Sequence, residues 1–159
     1  HNIIIKLHGF GWEQKKYKYQ NSLCSELSKK SNSIHLLQNE DYDIIPYYLS
    51  ADMLISDISS TLFEYLPMDK PIIQAQCYNL KLKHRTFKKR FWKKMDIDRQ
   101  DNVDFAYQIV EPDDILGMVY YAMDNHDEMS TKRKEATEYY LYMVDGNASS
   151  RLIDTIEAY

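Results

Sequence analysis

Glycine is scarce in this chain, only 4 of 159 residues, and that scarcity removes two common phosphate-binding devices. The G-x-G-x-x-G turn of dinucleotide-binding domains and the Walker loop both need glycines in fixed register after a strand. Gly9 and Gly11 follow the first apolar run, and nothing completes either motif. A nicotinamide enzyme and a P-loop ATPase are therefore disfavoured. Cysteine is nearly missing too: Cys24 and Cys77 lack C-x-x-C spacing, which points to neither a disulfide framework nor a zinc site. A reducing, cytoplasmic setting is the expectation. No apolar run approaches the roughly 20 residues of a membrane-spanning helix, and nothing at the N-terminus resembles a signal peptide. Internal repeats, low-complexity linkers and a carboxylate cluster for a metal are also missing, so no metal ligand is assigned.

What is present alternates. A chain of 159 residues suits one domain, with roughly 70% of the unfolded surface buried on folding. Short apolar runs at Ile3–Ile5, Ile34–Leu37, Met53–Ile55, Pro71–Ala75 and Ala106–Val110 read as strands. Helical patterns fall between and after them, at 13–30, 42–49, 61–68, 113–129, 131–144 and 148–159. The helix over 113–129 is expected to bury Ile115, Val119, Ala122 and Met123. That over 131–144 is expected to bury Ala136, Tyr139, Tyr140, Met143 and Val144. Strand–helix alternation predicts an α/β, Rossmann-like three-layer fold over residues 1–159, a parallel sheet with helices on both faces. Such sheets bind ligands at the carboxyl ends of their strands.

Two polar groups stand at those ends. After the third expected strand, Ser56, Asp57, Ser59 and Ser60 lead into the helix pattern beginning at Thr61. Hydroxyls and free backbone N–H groups in such a turn favour an anion. Serine is also a favoured helix cap in its own right. After the first strand comes Lys6-Leu7-His8-Gly9, and a lone histidine there is commonly structural.

Charge is distributed unevenly. Residues 81–99 carry a net +7 from six Lys, three Arg and two Asp in a chain of −4, so the remainder carries −11. Lys88, Lys89, Arg90, Lys93 and Lys94 interleave there with Phe87, Phe91 and Trp92. An amphipathic basic helix of this kind suits an anionic membrane surface or a polyanionic polymer. A solvated helix whose aromatics cover a neighbouring domain is the plainer reading. Nucleic acid is disfavoured, because the rest of the chain is acidic and shows no binding motif.

The stretch SDISSTLFEYLPMDKPII, with KLHG upstream and DGNASSRLIDTI near the end, resembles the CDP-glycerol glycerophosphotransferases, the teichoic-acid primases and polymerases. Members carry a segment close to S-D-Y-S-S-x-x-F-D ahead of K-P-I-I, an upstream K-L-H-P or R-L-H-P, and a late D-G-x-A-S-x-R. The likeness implies the C-terminal, nucleotide-donor half of a two-domain GT-B transferase, beginning late within that half, with the N-terminal domain missing. It implies transfer of glycerol phosphate from CDP-glycerol to a polyanionic or lipid-linked acceptor, with release of CMP. Beyond the nucleotide donor it implies no cofactor and no tightly bound metal. The setting implied is cytoplasmic, with peripheral contact at the inner face of the membrane, and little turnover is expected of this piece alone.

Carried over by position, Ser59 and Ser60 match the pair that holds the donor pyrophosphate. Glu64 matches an acidic residue suited to ribose hydroxyls. Asp57 is placed to orient the serines or cap the helix. His8 matches the histidine of the active centre, taking the acceptor hydroxyl's proton or stabilising phosphate charge. Asp145, Ser149 and Arg151 match the late motif, as structural support close to phosphate. Gly9 stands where the family has proline, Ile58 where it has an aromatic, and Gln74 and Ala75 where its strand end is aromatic-rich. These departures leave open a nucleotide-sugar transferase on the same scaffold, or a non-catalytic nucleotide-binding scaffold module.

Overall fold

The computed structural model describes residues 1–57, 59–77 and 103–158. The basic segment, including Lys88, Lys89, Arg90, Lys93 and Lys94, lies outside the described residues, as does Ile58. Residues of the described chain fall into two compact units, His1–Ser50 and Ala51–Tyr159. The fold is α/β, with all strands parallel and helices around them.

In the first unit β1 (Ile3–Ile5) pairs in parallel with β2 (Ile34–Leu36), Ile3 opposite Ile34 and Ile5 opposite Leu36. The crossover runs through α1 (Gly9–Glu13), a 3₁₀ turn at Lys15–Tyr17 and α2 (Lys18–Lys30). One continuous helix was expected over most of this stretch. It breaks because Gln14 is extended (φ −91°, ψ 126°), its N–H closing α1 onto the Phe10 carbonyl at 3.0 Å. Ile3 and Ile4, read as buried, are 52% and 41% exposed. A parallel strand is buried only when both sheet faces are covered, and a two-stranded ladder offers little surface for that. The short α3 (Ile45–Ser50) completes the unit, its first N–H held by Asp43 Oδ1 at 3.0 Å.

In the second unit β3 (Leu54–Ser56), β4 (Ile72–Ala75) and β5 (Tyr107–Ile109) form a sheet in the order β3-β4-β5. The middle strand is the most buried of the described strands: Ile72, Ile73 and Gln74 have no exposed surface. Ile73, Tyr107, Ile109 and Ala122 form a core cluster, with Met118 and Val119 packed against it. Each fully buried aliphatic side chain contributes about 1.5–3 kcal/mol to such a core. Ala122, Met118 and Val119 belong to α5 (Ile115–Asp124), which a 3₁₀ turn at Pro112–Asp114 leads into. Elsewhere in the unit Phe63 meets Phe105 and Tyr140 edge-on, with ring centroids 5.6 and 4.8 Å apart.

The helix expected over 61–68 is two short pieces, α4 (Thr61–Glu64) and a 3₁₀ turn at Leu66–Met68 that starts with Pro67 near its first position. The chain then reverses through Asp69 in the left-handed conformation, φ 47°. This reversal organises α6 (Ser130–Leu141). Arg133 Nε donates to Asp69 Oδ1 at 2.9 Å, and its Nη2 donates to the Asp69 carbonyl at 3.0 Å and the His126 carbonyl at 2.9 Å. Ser130 Oγ adds a bond to Asp69 Oδ2 at 2.7 Å.

Periodicity had turned Tyr139, Tyr140, Met143 and Val144 inward, whereas Tyr139, Met143 and Val144 are well exposed. Ala136 is buried as expected, but the residue that joins it on the buried face of α6 is Arg133, which reaches the Asp69 turn. Ile115 and Met123 are likewise half-exposed while Ala122 is buried. The last helix, α7 (Ala148–Glu157), keeps Leu152, Ile153 and Ile156 exposed.

Candidate functional site

β3 ends at Ser56, and the chain turns through Asp57, Ser59 and Ser60 into α4. Hydroxyls stitch this turn together. Ser56 Oγ and Thr61 Oγ1 are 3.0 Å apart, joining the strand end to the first helical residue. Ser59 Oγ accepts the Thr61 N–H at 3.3 Å, and the Phe63 and Glu64 N–H groups each reach the Ser60 carbonyl at 3.0 Å. Asp57 was expected to orient the serines or cap the helix, and serine to be a cap in its own right. Ser59 provides the local acceptor, while Asp57 is exposed and makes no hydrogen bond among the described residues. Ser60 occupies the N-cap position with its side chain unused, and its hydroxyl is exposed. Glu64 sits exposed at the end of α4, one turn beyond Ser60. A helix of 4 residues carries little aligned dipole, so what the turn offers is local hydroxyl and N–H groups.

Thr61 is a hydroxyl in this turn that sequence reasoning assigned to the helix alone. The K-P-I-I segment has a local structural role. Lys70 Nζ donates to the Ala51 carbonyl at 2.6 Å, and Tyr65 Oη reaches the same oxygen at 3.0 Å. Together they pin the entry to β3. Burial, with the Asp52 charge adding to it, pushes the Tyr65 hydroxyl up to about 12, so it remains a donor to Ala51 at any physiological pH.

Strand register sets a second polar feature beside the turn. Ser56 lies opposite Gln74, and Gln74 opposite Gln108. Gln76 Nε2 donates to Gln74 Oε1 at 3.0 Å, and Gln108 Nε2 donates to the Val103 carbonyl at 3.2 Å.

His8 belongs to the first unit, beyond the carboxyl end of β1. It is the N-cap of α1: its Nδ1 accepts the Phe10 N–H at 3.1 Å, and its carbonyl accepts the Gly11 N–H at 2.7 Å. The Phe10 ring lies against the imidazole at 4.5 Å. A neutral imidazole has one N–H and one acceptor nitrogen, so a cap that engages Nδ1 as acceptor places the proton on Nε2. The ring is exposed, and Nε2 makes no hydrogen bond among the described residues.

The late motif forms a tied turn. Arg151 Nη1 bonds both Asp145 oxygens at 2.8 Å, and the Asn147 N–H reaches Asp145 Oδ1 at 3.0 Å. Gly146, at φ 75°, provides the left-handed residue this turn into α7 requires. The Arg151 hydrogen bond foremost, and the Asn147 N–H after it, pull the Asp145 carboxyl down to about 2. Ser149 is exposed in the first turn of α7.

Among the described residues no group of three or more His, Cys, Asp or Glu side chains stands close enough to hold a metal ion. Among the same residues no helix is long and apolar enough to cross a membrane.

Neither a curated protein nor a solved structure matches the chain. A family sequence model does, over residues 1–158: that of the CDP-Glycerol:Poly(glycerophosphate) glycerophosphotransferases. The match takes in KLHG, the serine turn and the Asp145–Arg151 turn together. With nearly its whole length covered, the chain belongs to the CDP-glycerol:poly(glycerophosphate) glycerophosphotransferase family.

Proposed function

We propose that this chain is the donor-binding part of a glycerophosphotransferase and takes CDP-glycerol at the carboxyl end of β3. An acceptor hydroxyl attacks the β-phosphorus. The new acceptor O–P bond forms as the bond from that phosphorus to the bridging oxygen breaks, CMP leaves with the bridging oxygen, and the acceptor hydroxyl's proton passes to solvent water. Ser59, Ser60 and the N–H groups of the turn donate to the pyrophosphate, and Glu64 takes ribose hydroxyls. The acceptor is a polyanionic or lipid-linked chain, and a further domain provides most of its site, so this piece alone turns over slowly.

What supports the reading is the serine turn itself. An exposed hydroxyl at the N-cap position of α4, free of any partner among the described residues, stands at the edge where parallel sheets bind ligands.

His8 has a narrower part than a general base. With Nδ1 engaged by the Phe10 N–H, the neutral ring offers Nε2–H. As a donor it is suited to offsetting phosphate charge, a contribution of the kind oxyanion donors make.

Calorimetric titration tests the donor. CDP-glycerol and CDP are expected to bind in preference to UDP-sugars, with affinity lost in Ser59→Ala/Ser60→Ala. Preference for a UDP-sugar would move the protein to a glycosyltransferase, and no nucleotide binding at all would leave a scaffold module.

A further inference from the structure

Gln74 stands on the middle strand with no exposed surface, and its Nε2 has no hydrogen-bond partner among the described residues. Its Oε1 is already used, accepting from Gln76 Nε2 at 3.0 Å. Buried amide donors are almost always paired, so an open one calls for a reason. Register gives the surroundings. Gln74 lies between Ser56 on β3 and Gln108 on β5, and residues opposite each other in a sheet present their side chains on one face. Gln108 Nε2 is satisfied by the Val103 carbonyl, and Ser56 Oγ by Thr61 Oγ1. The row therefore runs from a paired amide, through an open one, into the hydroxyls of the serine turn.

We infer that Gln74 Nε2 is a donor reserved for the nucleotide, taking a phosphate oxygen of a nucleoside diphosphate seated at the serine turn. This rests on the reading of that turn as the donor site. The chemistry fits the position. A lysine or arginine buried here without ligand would carry an uncompensated charge, whereas a neutral amide tolerates the empty state at smaller cost and still bonds an anion. Stability is given up in the free protein so that the ligand meets a donor already held in place.

The test uses Gln74→Met, which keeps the unbranched shape and removes the polar atoms, and Gln108→Met as a control whose amide is already paired. Binding of CDP-glycerol and of CDP is measured by calorimetry, and Tm by thermal unfolding. Gln74→Met is expected to lower Tm by no more than Gln76→Met, which removes the same Gln76–Gln74 bond, while weakening both ligands roughly tenfold or more, the loss of one hydrogen bond to a charged group. Gln108→Met is expected to leave both affinities unchanged. Unchanged affinity in Gln74→Met overturns the inference. A Tm in Gln74→Met below that of Gln76→Met overturns it as well, since the fold itself would then be using Nε2. If the wild-type protein binds neither CDP-glycerol nor CDP, the donor-site reading fails first and the inference goes with it.

Discussion

Replacing Asp69 by Asn tests the contact that ties α6 to the sheet. Asn tolerates the left-handed backbone at φ 47°, so the substitution removes charge while leaving the turn unstrained. It leaves the Arg133 guanidinium, whose side chain is 1% exposed, without its anion. Removing one partner of a buried pair costs about 3–5 kcal/mol. Three features lower that figure here. Asp69 is itself one-third exposed, Arg133 keeps the Asp69 and His126 carbonyls, and the Asn carbonyl can still accept from Nε. The expected loss is therefore that of a hydrogen bond to a charged group, about 1.5–3 kcal/mol. Lys134, 70% exposed at 3.3 Å from the same carboxylate, contributes little of this. In a chain of this size the loss lowers Tm by roughly 3–12 °C. Asp69→Ala should cost more, since it adds about 1–2 kcal/mol of left-handed strain and deletes the acceptor.

Urea and thermal unfolding of both variants measure these losses. Asp69→Asn within 0.5 kcal/mol of wild type, by the precision such surface changes usually show, would refute the argument that this pair holds the unit together. The pH dependence gives a second check. Burial alone would raise the Asp69 carboxyl, but hydrogen bonds from Ser130 and Arg133, the Arg133 charge and Lys134 outweigh it and hold it below its ordinary 3.8. A depressed carboxyl contributes stability that is complete above the ordinary value and is lost as pH falls through the lowered one. Wild type should thus lose stability more steeply than Asp69→Asn below about pH 4, and parallel acid limbs would contradict this.

His8→Asn keeps a cap acceptor for α1 but has no atom at Nε2, whereas His8→Gln places an amide N–H near that atom. If His8 acts as a donor, glycerol phosphate transfer by the complete enzyme should survive partly in Gln and fall about 100-fold or more in Asn, in the range of an oxyanion donor; equal loss in both would restore the general base. Ser59→Ala/Ser60→Ala should weaken CDP-glycerol while moving Tm little. Loss of Tm without loss of affinity would make the pair a plain helix cap. Tyr107 is pushed up to about 12, by burial first and then by its Glu128 hydrogen bond and charge. Tyr65 is raised to about 12 as well, so the folded chain holds both protons after the unfolded chain has lost them. Stability should accordingly fall as pH rises from about 10 toward 12. An ultraviolet tyrosine titration with every ring ionising near pH 10 in the folded protein would contradict it.

The serine turn was the most legible part of the molecule, because strand, hydroxyl cluster and helix start are all local patterns. Ser56, Ser59 and Ser60 fall where the β3 to α4 junction needs them. The five strands were legible for the same reason, each being a short apolar run between polar breaks. Helix ends were less so. Gln14 breaks a helix through a backbone conformation that no neighbouring residue announces. The break between Glu64 and Leu66, with Pro67 just beyond it, was read through as helix interior, although the expected end at Met68 is where the segment stops.

Buried polar residues were the least visible. Arg133, among Lys132, Lys134 and Glu135, reads as part of a solvated face, and nothing local marks a partner at Asp69. Gln74 stood out only as a departure from an aromatic strand end. That its amide is buried and open depends on the strands beside it.

The sequence by itself determined the class of fold, the family and the place of the serine turn, because alternation of apolar runs and a short motif are properties of neighbours along the chain. Only tertiary structure decided which face of α6 is buried, which nitrogen of His8 is free, and which amide of the Ser56–Gln74–Gln108 row lacks a partner. Each of those depends on a hydrogen bond, and a hydrogen bond exists only once its two ends have been brought to a definite distance and angle.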